Sequence, residues 1–208
     1  MTLLDGTMQL NASTFYYNYK DKQEKELAVT FVGNIDGLTN VPKSRIYGAE
    51  MEWQWAPVTG LNIDLGVAWL KTKVLKWQAV DGAASVWPNT VYFDASGIEL
   101  PQSPEWSYSG LVSYRWPIAS NMYLEVGGDV NYTDSTTGGS QPTNAAPSYR
   151  IYNVRVTLGD NDGRWSAQLW SRNVTDEYYY PSAFVANGPF VRMLGMPRTV
   201  GITFGYHW

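Results

Sequence analysis

An alternation of apolar and polar residues returns in seven segments between Tyr47 and Trp208, and it constrains the fold more than any other feature. A period of two sorts side chains onto the two faces of a strand, whereas a helix needs 3.6. Tyr47, Ala49, Met51, Trp53 and Trp55 share one face, with Gly48, Glu50, Glu52 and Gln54 on the other. The pattern resumes with Leu61, Ile63, Leu65, Val67 and Trp69 opposite Asn62, Asp64, Gly66 and Ala68. It continues through residues 108–116, 122–132, 151–158, 165–172 and 199–208, where Val200, Ile202, Phe204, Tyr206 and Trp208 oppose Thr199, Gly201, Thr203, Gly205 and His207. Residues 8–20 and 24–32 read as two further strands with weaker alternation, giving nine in all. Helical periodicity is absent.

The connections between these segments alternate in length. Residues 20–23, 57–60, 117–121 and 159–164 are rich in Pro, Gly, Asn and Asp and read as tight turns. Residues 33–43, 73–105, 134–147 and 174–196 read as long loops. Short turns on one side and long loops on the other are the pattern of an up-and-down barrel that crosses a bilayer. If the short turns face the periplasm, the chain ends there.

The aromatic residues support the same fold. Ten Trp and 15 Tyr accompany only 16% charged residues. Trp55, Trp116, Trp165 and Trp208 fall at the short-turn ends of the apolar face, and Tyr47, Trp69, Tyr108 and Tyr132 near its long-loop ends. Two belts of amphipathic rings around an aliphatic band are what the two membrane interfaces select. A soluble β-sandwich also alternates, but it gives large indoles no reason to gather at strand ends. The predicted fold is therefore all-β, an antiparallel up-and-down transmembrane barrel segment of about nine strands. Mean hydropathy is only −0.29, as alternating strands average out.

Composition removes several functions. No Cys is present, so disulfides and thiolate metal sites are excluded. A net charge of −4 gives no basic stripe for nucleic acid. Residues 1–5 carry no export signal, which predicts a chain that is part of a longer protein.

Four segments resemble TonB-dependent outer-membrane receptors. Gly48-Ala49-Glu50-Met51-Glu52, followed by Pro57 and Gly60-Leu61, is similar to a hairpin of that family. Leu100-Pro101-Gln102-Ser103-Pro104-Glu105-Trp106 resembles its approach to a later strand, and Asn173-Val174-Thr175-Asp176 with Tyr178 or Tyr179 resembles an element after the penultimate strand. Thr199, Gly201, Phe204, Tyr206 and Trp208 resemble the terminal signal read by the barrel-assembly machinery. The resemblance implies that residues 1–208 form the C-terminal portion of a 22-stranded barrel, a single incomplete domain lacking the N-terminal plug and the first strands. It further implies outer-membrane lipid and the assembly machinery as partners. Contact with the TonB complex would run only through the missing plug. The implied function is active uptake of a scarce ligand, most often a ferric siderophore. A small self-contained barrel acting as passive pore or structural protein is the alternative.

No cofactor, metal or catalytic residue is assigned. Glu50 and Glu52 form a carboxylate pair, but in a wet lumen Arg115, Arg155 or Arg172 suffice to balance them. His207, the sole histidine, sits at the rim, far from any lipid an esterase would cleave. Asp160-Asn161-Asp162-Gly163 starts like a calcium loop and lacks its closing glutamate, so it reads as a turn. Ligand contact falls to the loops as groups: Trp77, Trp87, Tyr92 and Phe93 in one, and Tyr178, Tyr179, Tyr180, Phe184 and Phe190 in the other.

Overall fold

The computed structural model describes residues 2–137, 145–185 and 190–208. Eight long strands form a meander: β1 (Met8–Thr30), β2 (Gly33–Trp55), β3 (Leu61–Lys76), β4 (Trp106–Ala119), β5 (Met122–Thr133), β6 (Tyr149–Asp160), β7 (Trp165–Arg172) and β8 (Thr199–Tyr206). A two-residue strand, Thr2–Leu3, adds to the start of β1 and completes a nine-stranded sheet. Every strand runs antiparallel beside its sequence neighbour, and the sheet is open, its two edge strands unpaired with each other. No α-helix occurs among the described residues.

Register fixes the faces, because directly paired residues share one. Across the middle of the sheet Ile63 pairs with Val112, Gly128 with both Val112 and Val154, and Leu169 with Val156 and Ile202. The apolar residues of every segment from Tyr47 onward thus form one continuous face. That face is open: Val112 is 50%, Leu169 53% and Phe204 79% exposed. On the opposite face Ser113 and Thr157 are buried. A soluble domain shows the reverse, and among the described residues no second large sheet faces this one as a sandwich requires. An apolar face of this extent needs a lipid partner.

The aromatic belts fall where expected. At the long-loop end Tyr16, Tyr47, Trp69 and Trp106 form a chain of ring contacts with centroids 6.1, 5.8 and 6.3 Å apart, and Tyr108 stacks on Tyr132 at 4.8 Å. At the short-turn end Trp53 stacks on Trp55 at 5.4 Å and Tyr114 meets Trp116 at 4.3 Å. Between Tyr47 and Trp55 the strand extends roughly 27 Å at ~3.4 Å per residue, and at a barrel tilt of ~40° about 21 Å of that lies along the membrane normal, so the two belts bracket most of the ~25 Å apolar band.

The N-terminal quarter corrects the sequence reading. Residues 20–23 are not a turn, residues 33–43 are not a loop, and the two strands predicted there are one. β1 and β2 form a single long hairpin whose tip is Phe31-Val32, so residues 8–20 run opposite to the predicted direction. Pairing passes through residues 20–23 with only Asp21 and Pro42 skipped, Asp21 taking a left-handed φ of 53°. Proline is tolerated at such a position because it has no amide to donate to the ladder. Alternation between short turns and long loops survives, with this tall hairpin standing in place of the first loop.

Gly48 is needed for close packing. A Cβ there would lie 2.3 Å from the Trp69 carbonyl oxygen and 2.9 Å from the Phe15 ring, which crosses over the glycine.

Candidate functional site

The polar face and the structured loops above it are the two places able to hold a solute. On the polar face the ionic side chains are mostly satisfied by neighbours. Arg115 donates to Glu125 Oε2 through Nε (3.0 Å) and Nη2 (2.8 Å), and its guanidinium lies 4.0 Å from the Tyr123 ring centre. Asp129 accepts from Asn131 (3.0 Å) and Asn153 (2.6 Å), with Arg155 at 3.9 Å. Arg172 lies over the Trp170 ring, whose Nε1 donates to Thr203 Oγ1 at 3.0 Å. None of the three arginines therefore neutralises Glu50 or Glu52, contrary to the sequence expectation. Ser13 and Ala68 flank Glu50, and Asn11 and Gly66 flank Glu52. Nearer the loops Phe15, Tyr17 and Tyr19 form a ladder on this face with centroid spacings of 5.5 and 5.9 Å.

The loop between β3 and β4 is a small folded unit. Gln78–Val80 pairs with Tyr92–Asp94, and Trp77, Ala79, Ala95 and Leu100 close a buried core with Val41 and Val74 of the barrel strands. Trp77 is thus a packing residue, and Phe93 packs beside it, whereas Trp87 and Tyr92 are more than half exposed. The unit docks on the tall hairpin: the Val80 amide donates to Glu26 Oε1 (2.6 Å), and Asn34 Nδ2 donates to the Gly82 carbonyl (3.2 Å). Between them lies a shallow cleft of about 290 Å³ bordered by Glu26, Leu38, Gln78, Thr90 and Tyr92.

Glu105 latches the far end of this loop. Its carboxylate accepts from Lys71 Nζ and from Trp69 Nε1 (3.3 Å), and its carbonyl accepts from the Leu70 amide (2.8 Å). The hydrogen bond from Lys71, then that from Trp69, holds the Glu105 pKa below its ordinary value. A lowered carboxylate pKa favours the latched state above the unperturbed value and loses that contribution as pH falls through the lowered one. Below about pH 4.3, the usual glutamate pKa, the protection of the Leu70 amide against hydrogen exchange, taken relative to the intrinsic rate at each pH, is expected to fall. Protection in the middle of β5 should be unchanged.

The loop between β7 and β8 is tied at its root by Asn173, which is 2% exposed with φ 49°. Its Oδ1 accepts from the Glu177 amide (2.8 Å), and its Nδ2 donates to the carbonyls of Glu177 (2.9 Å) and Met196 (3.1 Å). Its own amide donates to Asn153 Oδ1 (3.0 Å), and Asp176 Oδ1 accepts from the Arg198 amide (2.8 Å). Tyr179 contacts Tyr149 at 4.7 Å, and Arg192 lies over the Tyr180 ring at 5.0 Å, while Tyr178 is 68% exposed. The side chains of Phe184 and Phe190, and residues 138–144 of the preceding loop, lie outside the described residues.

The remaining candidates resolve into structural roles. Asp160 is buried and accepts from the Trp165 amide (2.9 Å), while Gly163 turns the chain at φ 72°. The Asp160–Gly163 segment is therefore a turn, and no group of metal ligands occurs among the described residues. His207 is exposed, and its amide caps the Arg164 carbonyl at 2.8 Å. Gly201 of the terminal strand makes room for the Trp170 indole, since a Cβ there would lie 2.2 Å from it.

A single open antiparallel meander with one apolar exposed face, two aromatic belts and loops gathered at one end defines a segment of an outer-membrane β-barrel. The chain belongs to the TonB-dependent receptor family: the family model described as "TonB dependent receptor-like, beta-barrel" matches residues 1–174. Proteins of this family reside in the bacterial outer membrane, and it is a family of receptors and transporters, not an enzyme class. Among solved structures, the chain superposes on the siderophore receptor PiuA from Acinetobacter baumannii with a TM-score of 0.72 at 20% identity, covering 97% of this chain and 26% of that one. The ferric yersiniabactin uptake receptor FyuA from Yersinia pestis gives 0.73 at 18%, covering 95% and 27%. The ferric-catecholate import receptor Fiu from Escherichia coli K12 gives 0.70 at 19%, covering 100% and 26%. The chain thus spans about a quarter of the length of these receptors. No curated protein sequence matches it.

Proposed function

We propose that residues 1–208 are the C-terminal portion of the barrel of a receptor for TonB-driven uptake of a scarce ligand, a ferric siderophore. The supporting observation is that 95–100% of the chain aligns with about a quarter of three receptors whose names specify siderophore or ferric-chelate import. In this reading the chain is one incomplete domain. TonB acts through an N-terminal plug, and the assembly machinery reads Thr199, Gly201, Phe204, Tyr206 and Trp208. The polar face lines the lumen, and the loops after β3, β5 and β7 form the ligand vestibule. Their exposed aromatic rings, such as Trp87, Tyr92 and Tyr178, suit apolar contact with an organic chelate. A self-contained pore needs a closed barrel, and the open sheet gives that alternative no support.

The test is uptake of radioiron bound to a panel of siderophores by cells carrying the full-length protein or residues 1–208 alone. The full-length protein should import one of them in an energy-dependent manner, and the segment alone none. Import by the segment alone, or no siderophore-dependent import by the full-length protein, contradicts the proposal.

A further inference from the structure

The upper part of the polar face carries an aromatic stripe that a wet lumen gives no reason to expect. Phe15, Tyr17 and Tyr19 alternate onto this face of β1, their rings tilted by 32° and 47° to one another. Tyr17 and Tyr19 are 50% and 41% exposed, and no ring is stacked face to face on the next. Water on the inner side of a barrel selects polar residues, and exposed apolar groups that lie together mark a contact surface. Side chains stand roughly perpendicular to a sheet. A neighbouring strand added along the edge of β1 in the full barrel therefore leaves the rings directed into the lumen.

On the adjoining strands the same height of wall is sealed. Tyr17 pairs with Ile46 and Tyr19 with Ser44, which pair in turn with Thr72 and Val74 of β3. Ser44, Thr72 and Val74 are buried, Ile46 packs against the core around Trp77, and Thr72 Oγ1 accepts from the Leu100 amide at 2.9 Å. The loop after β3 thus covers this side of β2 and β3 and stops short of the rings on β1. The wall around the rings is also uncharged, since Phe15 pairs with Gly48 and Gly48 with Leu70. Along β1 and β2 the next ionic residues of this face are carboxylates, Asp21 above and Glu50 below. The arginines of this face stand on β4, β6 and β7, where Arg115 meets Glu125, Arg155 meets Asp129 and Arg172 lies over Trp170.

We propose that Phe15, Tyr17 and Tyr19 bind the aryl group of the transported ligand, and that this ligand is a phenolate-type ferric chelate carrying little or no net charge. The inference rests on the proposed uptake of a ferric chelate and narrows its class. An aryl ring gains from offset or edge contacts with protein rings beyond the burial of its area. A trianionic tris-catecholate meets no cation on this part of the wall and two carboxylates at its margins. A trihydroxamate brings no ring for the stripe to hold.

The test is calorimetric titration of the full-length protein in detergent with three ferric complexes: a hydroxyphenyl-thiazoline chelate, a trianionic tris-catecholate and a neutral trihydroxamate without rings. The hydroxyphenyl-thiazoline chelate should bind most tightly. Tyr17→Ala and Tyr19→Ala, each checked for insertion by heat-modifiability, should weaken its binding roughly two- to tenfold apiece. Tyr17→Phe and Tyr19→Phe should bind it like the parent, because the ring and not the hydroxyl makes the contact. Tighter binding of the tris-catecholate or the trihydroxamate overturns the assignment of ligand class while leaving the receptor reading intact. Unaltered binding by the inserted Ala variants shows that another part of the receptor covers the rings, and overturns the site. Failure to bind any ferric chelate overturns this inference and the receptor reading together.

Discussion

Replacing Phe204 and Tyr206 together by Asp is expected to remove most of the full-length protein from the outer-membrane fraction. Both side chains stand on the apolar face of β8, 79% and 69% exposed, opposite Ala167 and Trp165 of β7. In the membrane that exposure is to lipid. A cation near the bilayer midplane costs a barrel about 2–4 kcal/mol, and an acid or a rim position somewhat less. Tyr206 lies beside Trp165 of the short-turn belt and Phe204 one pair deeper, so the two acids together cost on the order of 1–3 kcal/mol, a sizeable share of the 5–15 kcal/mol that stabilises an ordinary domain. They also disrupt the proposed assembly signal. The control is Thr203→Asp, one residue away on the polar face, which keeps an acceptor for the Trp170 indole. It should insert normally. Membrane fractionation and heat-modifiability on gels read both outcomes, and equal loss by Thr203→Asp would refute the assignment of faces.

Asn173→Ala carries the second largest effect. The substitution strips one acceptor and two donated bonds from a residue that is 2% exposed, and places a non-glycine, non-asparagine residue at φ 49°. Each buried partner left unpaired costs roughly 1–3 kcal/mol, and the left-handed backbone adds about 1 kcal/mol for alanine. Three such partners at the low end of that range, with the backbone term, total about 4 kcal/mol, and this falls on the root of one loop and not on the barrel. Limited proteolysis should cut within residues 174–198 while the barrel remains intact. Asn173→Gly relieves the backbone cost but not the lost bonds, so it should be cut at an intermediate rate. Resistance equal to the parent's would show that the loop is held elsewhere.

The sequence was most readable where the bilayer imposes its own rule. From Tyr47 onward each strand meets lipid on one side and water on the other, so alternation and ring placement disclose face, direction and order. Beyond the upper belt that contrast disappears. Residues 20–43 stand beyond the upper belt, partly covered by the loop after β3, and Asp21, Gly33, Gly37 and Pro42 look like loop residues even though backbone pairing runs through both glycines and skips only the other two. The burial of Trp77 depends on Val41 and Val74, which are distant in sequence. The latch of Glu105 on Lys71 and Trp69 likewise joins residues more than thirty apart, although Glu105 lies within a motif already noted for its resemblance. Asn173 was visible only through such a motif, whose physical reason is the loop root it ties.

The central claim is that the apolar face of the sheet meets lipid and the polar face water. Residues 1–208 contain no cysteine, so in a full-length protein freed of any other cysteine single spin labels can be placed at Val112, Val126, Leu169 and Ile202, and at Glu52, Asn131, Gln168 and Thr203, and the protein reconstituted in vesicles. Collision with oxygen and with a water-soluble nickel chelate then distinguishes lipid from water at each label. The account predicts high oxygen and low nickel accessibility for the first four positions, and the reverse order for the second four. Nickel access on both faces, or the exclusion of both reagents from the apolar face as in a protein interior, would contradict it.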